Sequence, residues 1–238
     1  HWGLEDGLTN SQVVDLAYDK HGNLWIATEA GLNKFDGKRF ILYDTTNSNI
    51  AGNSLNTLLY DDNKDLLWIG TKSGLSIIDC AAGTFLPTDQ FDSISMIKNI
   101  QSLAKSKDGI WIANLYGKIL HYNENNNKID VYSNDNVPNL PNGFLSIYDN
   151  GHGELYIGHI NDGISVMDIK TGEIRRFVSG PRSIPGNRVY SIISDNLENI
   201  WIGTHQGLAM YNPANGAFQT FKHIPDNENS LLSDHIYK

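Results

Sequence analysis

The sequence is poor in several things, and each scarcity closes a class of explanation. Cysteine occurs once, as Cys80, which excludes an internal disulfide framework and a cysteine-based zinc centre. Basic charge is in deficit: 18 Lys and Arg stand against 27 Asp and Glu, a net charge of −9. That sign argues against a nucleic-acid binder, which needs a basic face to displace counterions from phosphate. It also disfavours docking on an anionic membrane surface. No apolar run approaches the roughly 18 residues that span a bilayer. No charged-then-apolar leader opens the sequence, so any secretory signal is expected to have been removed. There is no P-loop, no G-x-G-x-x-G leading into a helix and no H-E-x-x-H. Proline is scarce too, at 7 residues.

Glycine and asparagine, by contrast, are plentiful, with 22 and 27 copies. Both tolerate positive φ, so the chain is written for tight turns, and many turns at this length imply many short strands. One phrase recurs five times: GNLWIATEAGLNKFD from Gly22, DLLWIGTKSGLSIID from Asp65, DGIWIANLYGKILHYN from Asp108, GELYIGHINDGISVMD from Gly153 and ENIWIGTHQGLAMYN from Glu198. Its aromatic anchors are Trp25, Trp68, Trp111, Tyr156 and Trp201, spaced by 43, 43, 45 and 45 residues. The third and fourth copies each carry one extra residue between the anchor and the closing Asn or Asp.

Each unit holds four strand-like runs. In the first they are Val13 to Asp19, Leu24 to Thr28, Leu32 to Asp36 and Phe40 to Asp44, with turn residues between them. Helical spacing is sustained nowhere, which disfavours a helical solenoid. Four antiparallel strands in a unit of this size match one blade of a β-propeller. The anchors then have a packing role, filling the gap between stacked blades. A buried Trp hides about 150–250 Å², worth roughly 4–6 kcal/mol as an upper bound.

The motif LWIGTxxGLxxYD, with a preceding D-x-x-G and a following aromatic, resembles the two-component regulator propeller repeat, over about residues 8–238. The resemblance implies an all-β fold, a propeller of four-stranded antiparallel blades. It also implies a place in the extracytoplasmic, periplasmic sensor region of a bacterial hybrid two-component system. In that family the repeats build two consecutive seven-bladed propellers and a small β-sandwich. A membrane helix, a histidine kinase, a receiver and a DNA-binding region come after. Such receptors commonly detect oligosaccharides released from polysaccharides. This sequence departs from the full pattern. Its units fall at about 8–50, 51–96, 97–140, 141–185 and 186–230, and Leu231 to Tyr237 reads as the first strand of a sixth. Nothing in it resembles a kinase, a receiver or a helix-turn-helix. It is therefore expected to be a fragment of a seven-bladed propeller, with exposed blade faces that invite self-association. No enzymatic activity, cofactor or metal is expected of this stretch.

In a propeller, the loop between second and third strands and the crossing to the next blade share one face. Ligands favour that face, since loops carry function while sheets carry packing. The loops offer Glu29, Lys72, Asn114, Tyr116, His159, Asn161, Asp162, His205 and Gln206; the positions just before the first strands offer Ser11, Asn53, Lys98, Asn142, Asn187 and Asp234. The plain alternative is that these side chains cap strand ends and bind water. Four of the five arginines, Arg175, Arg176, Arg182 and Arg188, crowd into 14 residues in and after the fourth unit. Arg182 and Arg188 could grip a ligand carboxylate or sulfate in two places, which would suit an acidic sugar. Simple surface pairing is the rival reading. The candidate ligand contacts are thus Tyr116, Asn142, His159, Asp162, Arg182, Asn187, Arg188 and His205, with Tyr116 offering a stacking ring.

Asp61-x-Asn63-x-Asp65 starts like a calcium loop, but Leu66 stands where Gly is needed and no Glu completes it, so it reads as a hairpin turn. Three function classes remain: a ligand-sensing receptor module, which the resemblance favours, a glycan-active propeller lyase or hydrolase, and a protein-interaction scaffold. Fold alone does not separate them.

Overall fold

A computed structural model describes residues 3–88 and 97–237. The end of the expected second unit, residues 89–96, lies outside the described residues, as does Lys238. Apart from a short 3-10 turn at Leu4–Asp6, the regular elements among the described residues are twenty strands in five four-stranded sheets. The first sheet runs β1 (Val13–Tyr18), β2 (Leu24–Thr28), β3 (Gly31–Phe35) and β4 (Phe40–Tyr43). The second runs β5 (Leu55–Asp61), β6 (Leu66–Thr71), β7 (Leu75–Asp79) and β8 (Thr84–Phe85). The third comprises β9 (Ile100–Lys105), β10 (Gly109–Asn114), β11 (Ile119–Asn123) and β12 (Lys128–Tyr132). The fourth comprises β13 (Phe144–Asp149), β14 (Glu154–His159), β15 (Ile164–Asp168) and β16 (Ile174–Phe177). The fifth comprises β17 (Val189–Ser194), β18 (Ile200–Thr204), β19 (Gly207–Asn212) and β20 (Ala217–Phe221). In every sheet the spatial order is the chain order, the up-and-down meander of a propeller blade.

The strand runs expected of the first unit match β1–β4 to within a residue or two. Asp61–Leu66 is the hairpin between β5 and β6, the turn expected there, and Asp65 holds φ 58° in it. In four sheets the first-to-second strand ladder slips by one residue at the same place, between Val13 and Asp15, Leu55 and Thr57, Phe144 and Ser146, and Val189 and Ser191. A bulge there adds local twist to the innermost strand.

The chain divides into two compact units, residues 1–105 with 127–129, and 106–126 with 130–238. The core of the first is built from Trp25, Leu32, Leu55, Leu67, Ile69 and Ile78, edged by Tyr43 and Phe85. The ring of Tyr43 lies 5.8 Å from Trp25 and 5.9 Å from Phe85. Cys80 belongs to this cluster, and burial pushes its thiol up to about 12, so it stays protonated and inert. The core of the second unit gathers Tyr156, Ile164, Val166, Val189, Ile200 and Tyr211, with Phe177 and Phe218 against it.

The repeated phrase now has a physical meaning at each letter. Trp25, Trp68, Trp111 and Tyr156 are fully buried, whereas Trp201 is half-buried, stacked on Phe221 at 5.6 Å. Beyond the sheet of Trp201 the described residues form a single segment rather than another sheet. Two residues after the anchor the slot is Gly70, Gly158 or Gly203, and the next first strand presses against it. A Cβ on Gly158 would come within 2.7 Å of Val189, and one on Gly70 within 2.7 Å of Ile100. One residue further on, the hydroxyls of Thr28, Thr71 and Thr204 donate to the carbonyls of Gly31, Gly74 and Gly207 at 2.8, 2.9 and 2.8 Å. They close the second-to-third strand turns from inside.

Residues 231–237, expected as a first strand, form no ladder, because no second strand stands beside them among the described residues. They nevertheless occupy a first strand's place. Ile236 would meet a Cβ on Gly203 at 2.9 Å, and its N–H donates to the Thr204 carbonyl at 3.0 Å. The Gly207 N–H donates to Asp234 O at 2.8 Å, as the Gly163 N–H donates to Asn187 O at 2.9 Å.

Candidate functional site

In the second unit the second-to-third strand turns and the residues preceding each first strand form one continuous row. Asn114 holds the β10–β11 turn by accepting the N–H groups of Tyr116 and Lys118 at 3.1 and 2.9 Å. This leaves the Tyr116 ring 69% exposed. Beside it, Asn142 lies so close to Gly117 that a Cβ there would meet its Cγ at 2.9 Å. The row continues where the Ile160 N–H donates to Gly143 O at 2.9 Å.

The next stretch is the most polar. Arg176 of β16 donates through Nη2 to Asp162, to its carbonyl at 3.1 Å and to its carboxylate at 3.2 Å. Arg188 donates through Nε to Ile160 O at 3.2 Å. Its own N–H donates to His205 Nδ1 at 3.3 Å, and the His205 N–H returns a bond to Arg188 O at 3.2 Å. With Nδ1 accepting, Nε2 carries the proton of the neutral His205 ring. The structure therefore brings Asp162, Asn187, Arg188 and His205 together, with Tyr116 and Asn142 further along the same row. Arg182 is exposed on the crossing loop.

Two features differ from the sequence expectation. The first is His159, which sits in the Thr28/Thr71/Thr204 slot and is fully buried, not part of the loop surface. Its Nε2 shares a 2.7 Å hydrogen bond with Ser165 Oγ, and its ring centre lies 5.6 Å from that of Phe144. Burial depresses its pKa to about 4; Asp162 acts against that shift and Arg176 with it. A neutral, enclosed imidazole supports the row from below. The slot alignment was readable in W-I-G-T against Y-I-G-H and would have flagged this.

The second is the asparagine series before the first strands, where the capping alternative holds for three members. Asn53, Asn187 and Asp234 accept the N–H groups of Thr45, Ser179 and His223 at 2.9, 2.7 and 2.6 Å. Each ties the end of the preceding sheet to its own segment. Arg175 likewise pairs with Glu154 and Arg176 with Asp162, the surface pairing weighed for the arginine group. Arg176 and the Ile160 carbonyl were missed as organisers of the row: Arg176 lies in β16 and not in a turn, and Ile160 stands in the turn slot of Glu29, Lys72 and His205 but acts through its main chain, which residue type does not reveal. In the first unit the corresponding turns place Lys72 Nζ 3.5 Å from Glu29.

This architecture defines a propeller with a polar turn face. The two-component regulator propeller family model matches residues 7–30 and 183–206. The extracellular domain of a hybrid two-component system of B. thetaiotaomicron is 31% identical over 96% of this chain, with a TM-score of 0.81. A second such domain from the same organism has a TM-score of 0.74 at 20% identity over 97% of this chain, a likeness of fold. The chain spans about a third of each domain, 33% and 36%. Histidine kinase P4 of Formosa agariphila is 55% identical over 38 residues, which are 16% of this chain and 3% of that protein. No helix among the described residues is long and apolar enough to cross a membrane.

Proposed function

We propose that this chain is the ligand-sensing part of a hybrid two-component receptor, on the periplasmic side of a membrane, and that its ligand is an oligosaccharide released from a polysaccharide. The observation that carries the reading is the convergence of Arg188, His205, Asp162 and Asn187 on the turn row. With the Arg188 Nε committed to Ile160 O, its terminal Nη pair is what a ligand carboxylate would meet. Tyr116 and Asn142 extend the row with an exposed ring and an amide. An acidic sugar is the favoured ligand, and it would draw its contacts from turns of successive blades. Binding would favour one arrangement of a self-associated receptor, and that bias would pass through a membrane helix to a kinase outside this chain.

Calorimetry with tetragalacturonate tests this. Binding without turnover, weakened about tenfold or more in Arg188→Ala, is the expected result. Binding that ignores Arg188→Ala removes the acidic-sugar reading. Chain cleavage of the oligosaccharide would move the protein to the glycan-active enzymes instead.

A further inference from the structure

The opposite ends of the strands carry a second feature. A cavity of about 610 Å³ opens at the β9–β10 hairpin, within the second unit, and its walls come from the third and fourth sheets. It lies where the hairpin departs from that of the first and fifth sheets. In the first and fifth sheets the hairpin has three turn residues, closed by Asp19 N–H to Asn23 O at 3.0 Å and by Asp195 N–H to Asn199 O at 3.0 Å. There an aspartate binds the asparagine side chain and the anchor indole of its own blade. The third sheet closes one residue sooner, with the Ser106 N–H on Gly109 O at 2.8 Å. Gly109 takes the asparagine's place and cannot carry a side chain, since a Cβ would fall 1.8 Å from Tyr122 O. The Tyr122 carbonyl takes the direction an asparagine side chain would follow, so the Asp–Asn–indole clasp of those two sheets is not built here. The Trp111 indole donates instead to Asp149 of β13, at 2.7 Å.

The lining is organised. Asp108 is held by Ser106 Oγ at 3.1 Å and by Asn123 Nδ2, with His121 Nε2 at 3.3 Å. The His121 ring lies 4.3 Å from Trp111, and the Tyr132 ring 5.5 Å from Trp111. Asp149 Oδ1 accepts the Gly151 N–H at 2.7 Å. Asp130 and Asn125 complete the polar wall, and Lys107 is the one cation among the lining residues. Three carboxylates, two of them held by the bonds just given, accept hydrogen bonds and repel anions, the asparagine amides both donate and accept, and Tyr132 adds an apolar flank. The volume falls within the usual range of small-molecule sites, about 300–1,000 Å³.

We infer that this hairpin-end cavity binds an uncharged polyhydroxylated ligand, whose hydroxyls donate to Asp108, Asp130 and Asp149. The site is separate from the turn row and opposite to it in charge preference. It stands whether or not the turn row binds an acidic sugar.

The test is a titration of isotope-labelled protein with cellotetraose, xylotetraose, mannotetraose and, as the anionic counterpart, tetragalacturonate. The Trp111 indole N–H resonance is the reporter. At least one neutral tetrasaccharide should shift it saturably. Asp130→Ala and Asn125→Ala, the latter on an exposed turn position, should each weaken that binding about tenfold. Arg188→Ala should leave it unchanged, and tetragalacturonate should not move the reporter. If no neutral tetrasaccharide shifts the Trp111 signal, or if both cavity variants bind as the parent does, the assignment is wrong. Loss of the tetragalacturonate interaction in Arg188→Ala alone bears only on the turn row.

Discussion

Asp195 accepts the indole proton of Trp201 at 2.9 Å from six residues away, as Asp19 accepts that of Trp25 at 2.8 Å. The same carboxylates accept the backbone and side-chain amides of Asn199 and Asn23. One side chain thus closes the hairpin and fixes the anchor ring.

These bonds make the hairpins sensitive to acid. The side-chain amide of Asn199, then the Trp201 indole, hold the Asp195 pKa down at about 2. Burial alone would raise that of Asp19, but the bonds from Asn23, Trp25 and His21 outweigh it, and it lies below the usual range. A depressed folded pKa gives stability that is complete above the unfolded pKa of about 4 and lost as pH falls towards the folded value. Thermal melts between pH 5 and pH 2 should show this loss, and Asp195→Asn should lose less over the same interval. Parallel curves for the two proteins would contradict it.

Trp68 tests the packing role of the anchors in the first unit. Its side chain is buried to 1% exposure. Trp68→Ala should lower stability by roughly 3–5 kcal/mol in urea denaturation. A loss below about 1 kcal/mol would mean that the ring is not part of the packed core.

His159 predicts a different pH response. Its folded pKa, about 4, lies below the ordinary value of 6.5, so the unfolded chain takes up the proton first. Stability from this group is whole above about pH 6.5 and declines as pH falls towards 4. His159→Thr restores the residue found in three sister blades. It should flatten the stability profile across that interval, and the ring carbons of His159 should show no titration above pH 5 in the parent.

Gly158 tests the approach of one blade to the next. Gly158→Ala sets a methyl 2.3 Å from Ser146 Oγ of its own sheet and 2.7 Å from Val189 Cγ1 of the next, so it should destabilise by about 1–3 kcal/mol. Val189→Ala in the same background should recover part of the loss in a double-mutant cycle. Additive effects of the two changes would show that the loss comes from the Ser146 contact within the sheet and not from the approach of Val189.

The repeat period was legible because Trp25, Trp68, Trp111, Tyr156 and Trp201 must all fill equivalent spaces, and a packing constraint imposes a residue type. The turn row was legible for a similar reason: strand count from the anchor fixes which residues reach the turns, and Asp162, Arg188 and His205 came with it. Orientation was harder. His159 has the count of the strand-end threonines Thr28, Thr71 and Thr204, but a histidine beside a turn reads as a surface group, and its partner Ser165 inside the sheet is not announced by spacing. The capping by Asn187 was one of two readings, since an amide that ends a strand and one that meets a ligand look alike in sequence. The hairpin-end cavity was hidden because its lining comes from two sheets, and the carboxylate that meets the Trp111 indole, Asp149, belongs to the next sheet.

The docking of Ile236 beside Gly203 has a consequence for assembly. A stretch with no hairpin of its own is already held in register by the preceding sheet, through one side-chain notch and two main-chain bonds. Each finished blade thus acts as a jig for the start of its successor, so construction can proceed in the direction of synthesis, one meander at a time.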